Sequence, residues 1–176
     1  MKIATRLLLA LTIAFAVAAC KTTPEPEPEP TPEPVEDTST DVTTSAAPDP
    51  RDYTDSRNFD NPESLLSKRI IYFDFDKSEV KAEYRSIVAA HAAYLASSGS
   101  ARVTLESHAD ERGTREYNLG LGERRGNAVK GVLSAGGARG SQQDVVSYGE
   151  ERPVCRVSNE DCWWQNRRVE IVYTAR

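Results

Sequence analysis

From Pro24 to Pro34 every second residue is proline, and the positions between them are Glu or Thr. This run continues in Thr, Ser, Ala and Asp up to Pro50 with almost no large apolar side chain, so it cannot bury enough surface to offset its ordering entropy. Whatever folds must lie outside it. Alternate prolines favour extended polyproline II and the glutamates repel one another, so roughly 30 residues at about 3.1 Å each reach on the order of 90 Å. The tract is read as a spacer that lets a domain act far from its point of attachment.

Upstream, Lys2 and Arg6 precede an apolar run from Leu7 to Val17, followed by small residues and Cys20. This is the layout of a signal peptide, and the run is about half the length of a stable membrane-crossing helix. Val17-Ala18-Ala19-Cys20 is similar to the bacterial lipobox. That similarity implies cleavage before Cys20, acylation of the cysteine, and attachment to outer-membrane lipid, because Lys21 stands where Asp commonly retains such a chain at the inner membrane. Several acyl chains, at about 0.8 kcal/mol per buried methylene, anchor a chain far better than one myristoyl group. The plainer reading is an exported protein with an odd cysteine. The expected layout is a signal peptide at 1–19, lipidated Cys20 and linker at 20–60, and a folded domain at 61–176.

The acidic balance belongs to the spacer. Residues 21 to 50 hold one Lys and eight acids, net −7, whereas residues 51 to 176 hold 19 of each sign. No basic footprint for nucleic acid is present. Cys155 and Cys162 lie close enough in sequence to form a disulfide in an oxidising compartment, with a pair of free thiols as the alternative. Only His91 and His108 exist and neither is near the cysteines in sequence, so no metal or other cofactor is expected.

The domain opens with Ile71, Phe73 and Phe75 alternating with Tyr72, Asp74 and Asp76, a strand with one buried face. Val80, Tyr84, Ile87, Val88, His91, Tyr94 and Leu95 then form an apolar helical stripe ended by Gly99, with His91 read as a half-buried structural residue. Val103, Leu105 and Ser107 mark a second strand. Arg115 to Ala135 reads as a second helix ended by Gly136-Gly137, and strands follow at Val145 to Tyr148 and Val169 to Tyr173. The order is βαβαββ or close to it. The expected class is α+β, a two-layer sandwich with the helices on one face of a mixed four-stranded sheet.

Glycines 120, 122, 126 and 131 sit in the second helix, each costing about 0.8–1 kcal/mol relative to Ala. Asn118, Gly122 and Arg125 share a face, so a glycine between Asn and Arg lets a ligand approach the backbone; close packing is the reading preferred for Gly120 and Gly131. Just before the helix runs His108 to Thr114, dense in charge, where a strand ends and a helix begins. Asp110 accepts from an ammonium and Arg125 offers a planar fork to a carboxylate, so the two would clasp a zwitterionic amino-acid head. An Asp110–Arg125 surface ion pair of little energetic value is the competing reading.

Ile71 to Ser78 (IYFDFDKS), His108 to Thr114 (HADERGT), Asn118 to Val129 (NLGLGERRGNAV), Ser147 to Glu150 (SYGE) and Asn166 to Val169 (NRRV) resemble successive signatures of the OmpA-like peptidoglycan-binding domain family, in order and spacing, over nearly all of 68–176. HADERGT with GERR resembles its lipoprotein branch. The resemblance implies noncovalent, noncatalytic binding of peptidoglycan through the diaminopimelate of the stem peptide. It puts the family's Asp on Asp110, Asn on Asn118, Arg on Arg125 and pocket aromatic on Phe73, with Arg167 at the rim. It also implies TolB as a partner, with TolA and OmpA-type proteins beside it, and a part in drawing the outer membrane inward at division. Two positions depart from the pattern: Ser107 stands for the usual Gly, and Gly126 for the usual Ala. The loop from Cys155 to Cys162 differs too, and Trp163 and Trp164 are read as packing beneath it. The rival is a peptidoglycan hydrolase using His108 and Asp110, for which the remaining residues supply no nucleophile or metal. An OmpA porin tail or a flagellar stator protein would need an upstream barrel or an uncleaved membrane helix, and neither is expected here.

Overall fold

The computed structural model describes residues 47–176. The expectations for the signal peptide, Cys20 and most of the Pro-Glu linker lie outside them.

Four strands form one sheet: β1 (Ile70–Tyr72), β2 (Arg102–His108), β3 (Gln143–Gly149) and β4 (Arg168–Ala175). Their spatial order is β1-β4-β2-β3, with β2 and β3 parallel and the other pairs antiparallel. A parallel pair needs a crossover, and α2 (Arg115–Ala135) supplies it, while α1 (Ala82–Ser97) joins β1 to β2. A third helix, α3 (Glu160–Asn166), stands between β3 and β4, where the βαβαββ reading had only a loop. Asn159 caps α3 by accepting from the backbone N–H of Cys162 at 3.1 Å, and Glu160 and Asp161 occupy its first turn. Cys155 and Cys162 are joined in a disulfide beside it.

The inner face of the sheet follows the period of two. Ile71, Val103, Leu105, Val169 and Ile171 are buried and pack with Val88, Ala92 and Leu95 of α1 and Val129 and Leu133 of α2. Each such side chain, removed from water, contributes about 1.5–3 kcal/mol. On the other face Thr104, Glu106, Val146 and Val172 are half-exposed or exposed, so both long helices cover one side only. The core also reaches back to Phe59, whose ring stands edge-on to Tyr94 and Tyr173.

His91 is fully buried, not half-buried. Its Nε2 lies 2.9 Å from the Lys68 carbonyl, which can only accept, so Nδ1 must accept from the Tyr173 hydroxyl at 3.0 Å. Burial pulls its pKa down to about 4, which keeps the ring neutral.

Thr114 caps α2 through its hydroxyl, which accepts from the N–H of Tyr117. The glycines that matter for packing are 122 and 126, one turn apart. A methyl at 122 would collide with Ser147 Oγ, and one at 126 would stand 2.5 Å from both Ser107 Oγ and Val145. They let α2 settle onto β2 and β3. Gly131 meets nothing and Gly120 meets only the Arg124 side chain, the reverse of the assignment expected from sequence. The two departures from the family pattern thus meet at one place, where the hydroxyl of Ser107 and the side chain of Val145 together fill the space that a side chain at 126 would need.

Candidate functional site

The functional residues gather at the carboxyl end of β2. The register between β2 and β3 shifts after Ser107, so that His108 faces Gly149, and a bulge of this kind re-aims the chain as it leaves the sheet. The loop from Ala109 to Thr114 then delivers Asp110 and Arg112 beside the first turns of α2. A cavity of about 210 Å³ lies there, lined by Phe75, Asp76, Asp110, Arg112, Asn118 and Arg125, among others.

Arg125 is the largest fully buried side chain. Its Nη1 donates to the His108 carbonyl at 2.8 Å, Nε to Lys77 at 2.9 Å and Nη2 to Asp74 at 3.1 Å. These three bonds tie the chain after β1 and the end of β2 to the middle of α2. No carboxylate stands within ion-pair distance of it among the described residues, so the competing reading, an Asp110–Arg125 surface ion pair, does not hold. Burial lowers its pKa to about 10, which leaves it a cation at neutral pH. A buried guanidinium that only carbonyls solvate, at the wall of a cavity, favours an anion beside it.

Asp110 is buried and heavily bonded. Its Oδ1 accepts from the backbone N–H of Arg112 at 3.1 Å and from its Nε at 3.2 Å. Its Oδ2 accepts from Nη2 of Arg112 at 2.7 Å and from Nη1 of Arg167 at 3.1 Å. Burial alone would raise the pKa of this carboxyl, but the bonds from Arg112 and Arg167 outweigh it and hold the group below the usual carboxylate range.

Three residues expected in the pocket lie elsewhere. Phe73 is in the core, 2% exposed, under the Arg125 guanidinium at 5.3 Å. The aromatic rings at the cavity are Phe75, 54% exposed, and Tyr117. Gly122 faces the sheet. Arg167 is no rim residue but sits buried behind Asp110, its Nε on the Phe73 carbonyl and its Nη2 on Glu160 at 2.5 Å. Asn118 is where sequence placed it, on the cavity wall, with Nδ2 donating to Glu150 at 2.5 Å.

The sequence reading passed over Asp76, Tyr117 and Arg112. Asp76 has a φ of 54°, the only positive value outside glycine among the described residues, and accepts from the Tyr117 hydroxyl. Arg112 lies between two aromatic faces, 3.9 Å from the Phe75 centroid and 4.1 Å from that of Trp163. Trp163 thus serves this site through α3, while Trp164 packs edge-on against Tyr72.

His108 does not join Asp110. Its ring is buried beside Tyr148, neither nitrogen has a hydrogen-bond partner, and it lines no part of the cavity. The His108–Asp110 pair of the hydrolase reading is therefore not brought together at this cavity. Chemically the site offers a cation at one wall, carboxylates at the other and an aromatic ring at the mouth, an arrangement suited to a zwitterion.

A family model described as the OmpA family matches residues 72–167. The peptidoglycan-associated lipoprotein of Pseudomonas aeruginosa is 48% identical over 108 residues, which are 61% of this chain and 64% of that protein. That of Haemophilus influenzae is 46% identical over 103 residues, covering 58% and 67%. The crystal structure of the peptidoglycan-associated lipoprotein from Burkholderia pseudomallei matches with a TM-score of 0.64 at 42% identity, over 66% of this chain and 98% of that one. The chain thus spans a little under two thirds of the length of its Pseudomonas relative.

Proposed function

The chain belongs to the OmpA family, and from that premise we propose that its domain is a noncatalytic module that binds peptidoglycan through the zwitterionic end of diaminopimelate. The observation that carries this reading is Arg125, a buried cation with no carboxylate of its own, in one cavity with Asp110. The ligand's carboxylate lies toward Arg125 and its ammonium toward Asp110, with Asn118 on the wall and Phe75 over the aliphatic part. Phe73, Gly122 and Arg167 support the site from behind. Charge-assisted hydrogen bonds of about 1.5–3 kcal/mol each suffice to hold a ligand that the cell wall presents many times over.

The rest of the chain fits a tether. Residues 1–19 are a signal peptide, acylated Cys20 and the linker to residue 60 form a leash from the outer membrane, and 61–176 is the wall-binding domain in the periplasm. The names of the relatives support the lipoprotein and peptidoglycan parts of this reading. On the family resemblance the domain also takes TolB as a partner, with TolA and OmpA-type proteins, and helps draw the outer membrane inward at division.

The test is co-sedimentation with purified sacculi of the chain from Lys21 onward, as wild type, Asp110→Ala and Arg125→Ala, each checked for folding by circular dichroism. Wild type pellets and both folded variants remain in solution. If all three pellet alike, the site assignment is wrong; a wild type that stays in solution overturns wall binding itself.

A further inference from the structure

The carboxylate assigned to the ligand's ammonium is already occupied. An ionised carboxyl offers about four lone-pair sites, and Asp110 has four donors on it, three from Arg112 and one from Arg167. A fifth donor finds no free lone pair; one of the two cations must leave. Arg167 is buried and held in addition by the Phe73 carbonyl and Glu160. Arg112 is the more accessible member: its side chain is 29% exposed against 7% for Arg167, it lines the cavity, and its remaining contacts are the two ring faces and Glu160 at 3.5 Å. Trp163 and Glu160 both belong to α3, next to the disulfide, so the clamp on Arg112 adjoins the loop at which the chain departs from the family pattern.

We infer that Arg112 is a specificity-determining plug: in the empty pocket its guanidinium takes the place of the ligand's ammonium on Asp110, between Phe75 and Trp163, and the ligand binds by displacing it. The inference rests on the reading of this cavity as the zwitterion site. It explains how the pocket demands a cation. A buried carboxylate deprived of a partner is costly, so a ligand that pushes Arg112 aside must bring a positive charge of its own. A neutral analogue displaces the plug and puts nothing in its stead. Apparent affinity falls by the fraction of molecules that are open, so a plug seated in about nine molecules of ten weakens binding about tenfold. Such tuning suits a contact made at many sites along a polymer.

The experiment uses the chain from Lys21 onward and two probes, the tripeptide L-Ala-D-Glu-meso-diaminopimelate and the same peptide acetylated on its side-chain amine. Kd is measured by calorimetry for wild type, Arg112→Ala and Trp163→Leu, with a thermal melt to establish folding. Arg112→Ala binds the free-amine peptide several-fold more tightly than wild type, Trp163→Leu gains less, and the preference for free over acetylated amine shrinks in Arg112→Ala. Equal or weaker binding by Arg112→Ala, with wild type binding, overturns the plug and leaves the site assignment standing. If neither wild type nor Arg112→Ala binds either peptide, the assignment of the cavity fails and the plug falls with it. A second readout stands apart from affinity: the Nε–H proton resonance of Arg112, bonded to Asp110 in the free protein, shifts toward that of a solvated arginine as free-amine peptide is added. A resonance that stays put on saturation refutes displacement.

Discussion

His91 beneath the first helix and Arg125 beneath the second are both sealed from solvent, yet they are left in different conditions. Both nitrogens of His91 are matched, one donating to Lys68 and one accepting from Tyr173, and the ring is neutral. Around it Phe59, Tyr94 and Tyr173 close edge to face. Arg125 has its geometry satisfied by three carbonyls but its charge opposed by no direct partner. The first region is finished and has nothing left to offer a ligand. The second holds a cation at a cavity wall that only the more distant Asp110 and Asp76 carboxylates offset, which suits that wall to an anionic group.

The largest test of this division is at its border, where Phe73 and Phe75 are two residues apart. Phe73→Ala costs about 3–5 kcal/mol of unfolding free energy, as for other buried phenylalanines. Phe75→Ala changes stability by less than about 0.5 kcal/mol and weakens sedimentation with sacculi. Urea unfolding beside the pelleting assay checks both, and equal stability losses would erase the border.

Acid comes next. Burial sets the pKa of His91 and of His108 at about 4, and at His108 the nearby Arg168 and Arg152 charges add to the effect. The unfolded chain, titrating near 6.5, therefore binds more protons than the native one between pH 6.5 and 4. The share of stability set by these rings falls as pH drops through that window, by up to roughly 3 kcal/mol for each histidine, and is fully lost below it, where carboxylates such as Asp110 continue the loss. Imidazole titration by NMR decides the matter: protonation of either ring near pH 6.5 in the folded protein would remove its share.

The smallest effect concerns the helix–sheet seam that positions Arg125. Gly126→Ala places a methyl against Ser107 Oγ and Val145 and costs about 1–3 kcal/mol. Adding Ser107→Gly returns much of it. A double-mutant cycle in thermal unfolding measures the coupling, and strict additivity would show that the two positions do not share one space.

Much of this was legible beforehand. Gly136-Gly137 ends α2 as read from sequence because chain reversal depends on local chemistry. The alternation of Val103, Leu105 and Ser107 gave β2 its buried face. Period two misled at Phe73 and Phe75, which it assigned to one face, because β1 ends at Tyr72 and the chain turns through Asp76. Helix α3 escaped notice as a seven-residue element, although Asn159 followed by Glu160 and Asp161 is an N-terminal signature. That Asp110 and Arg125 line one cavity was legible from charge and position. Their separation was not, since which carboxylate meets which guanidinium depends on Arg112 and Arg167, brought in from two residues away and from 57.

The sheet order carries a consequence for how the molecule is made. β4 is the last strand in the chain but lies between β1 and β2. A chain cut before Arg168 leaves β1 with no neighbour and β2 with one, so the sheet cannot close from its amino-terminal portions. Closure of the sheet therefore waits on β4, whatever order the other strands form in.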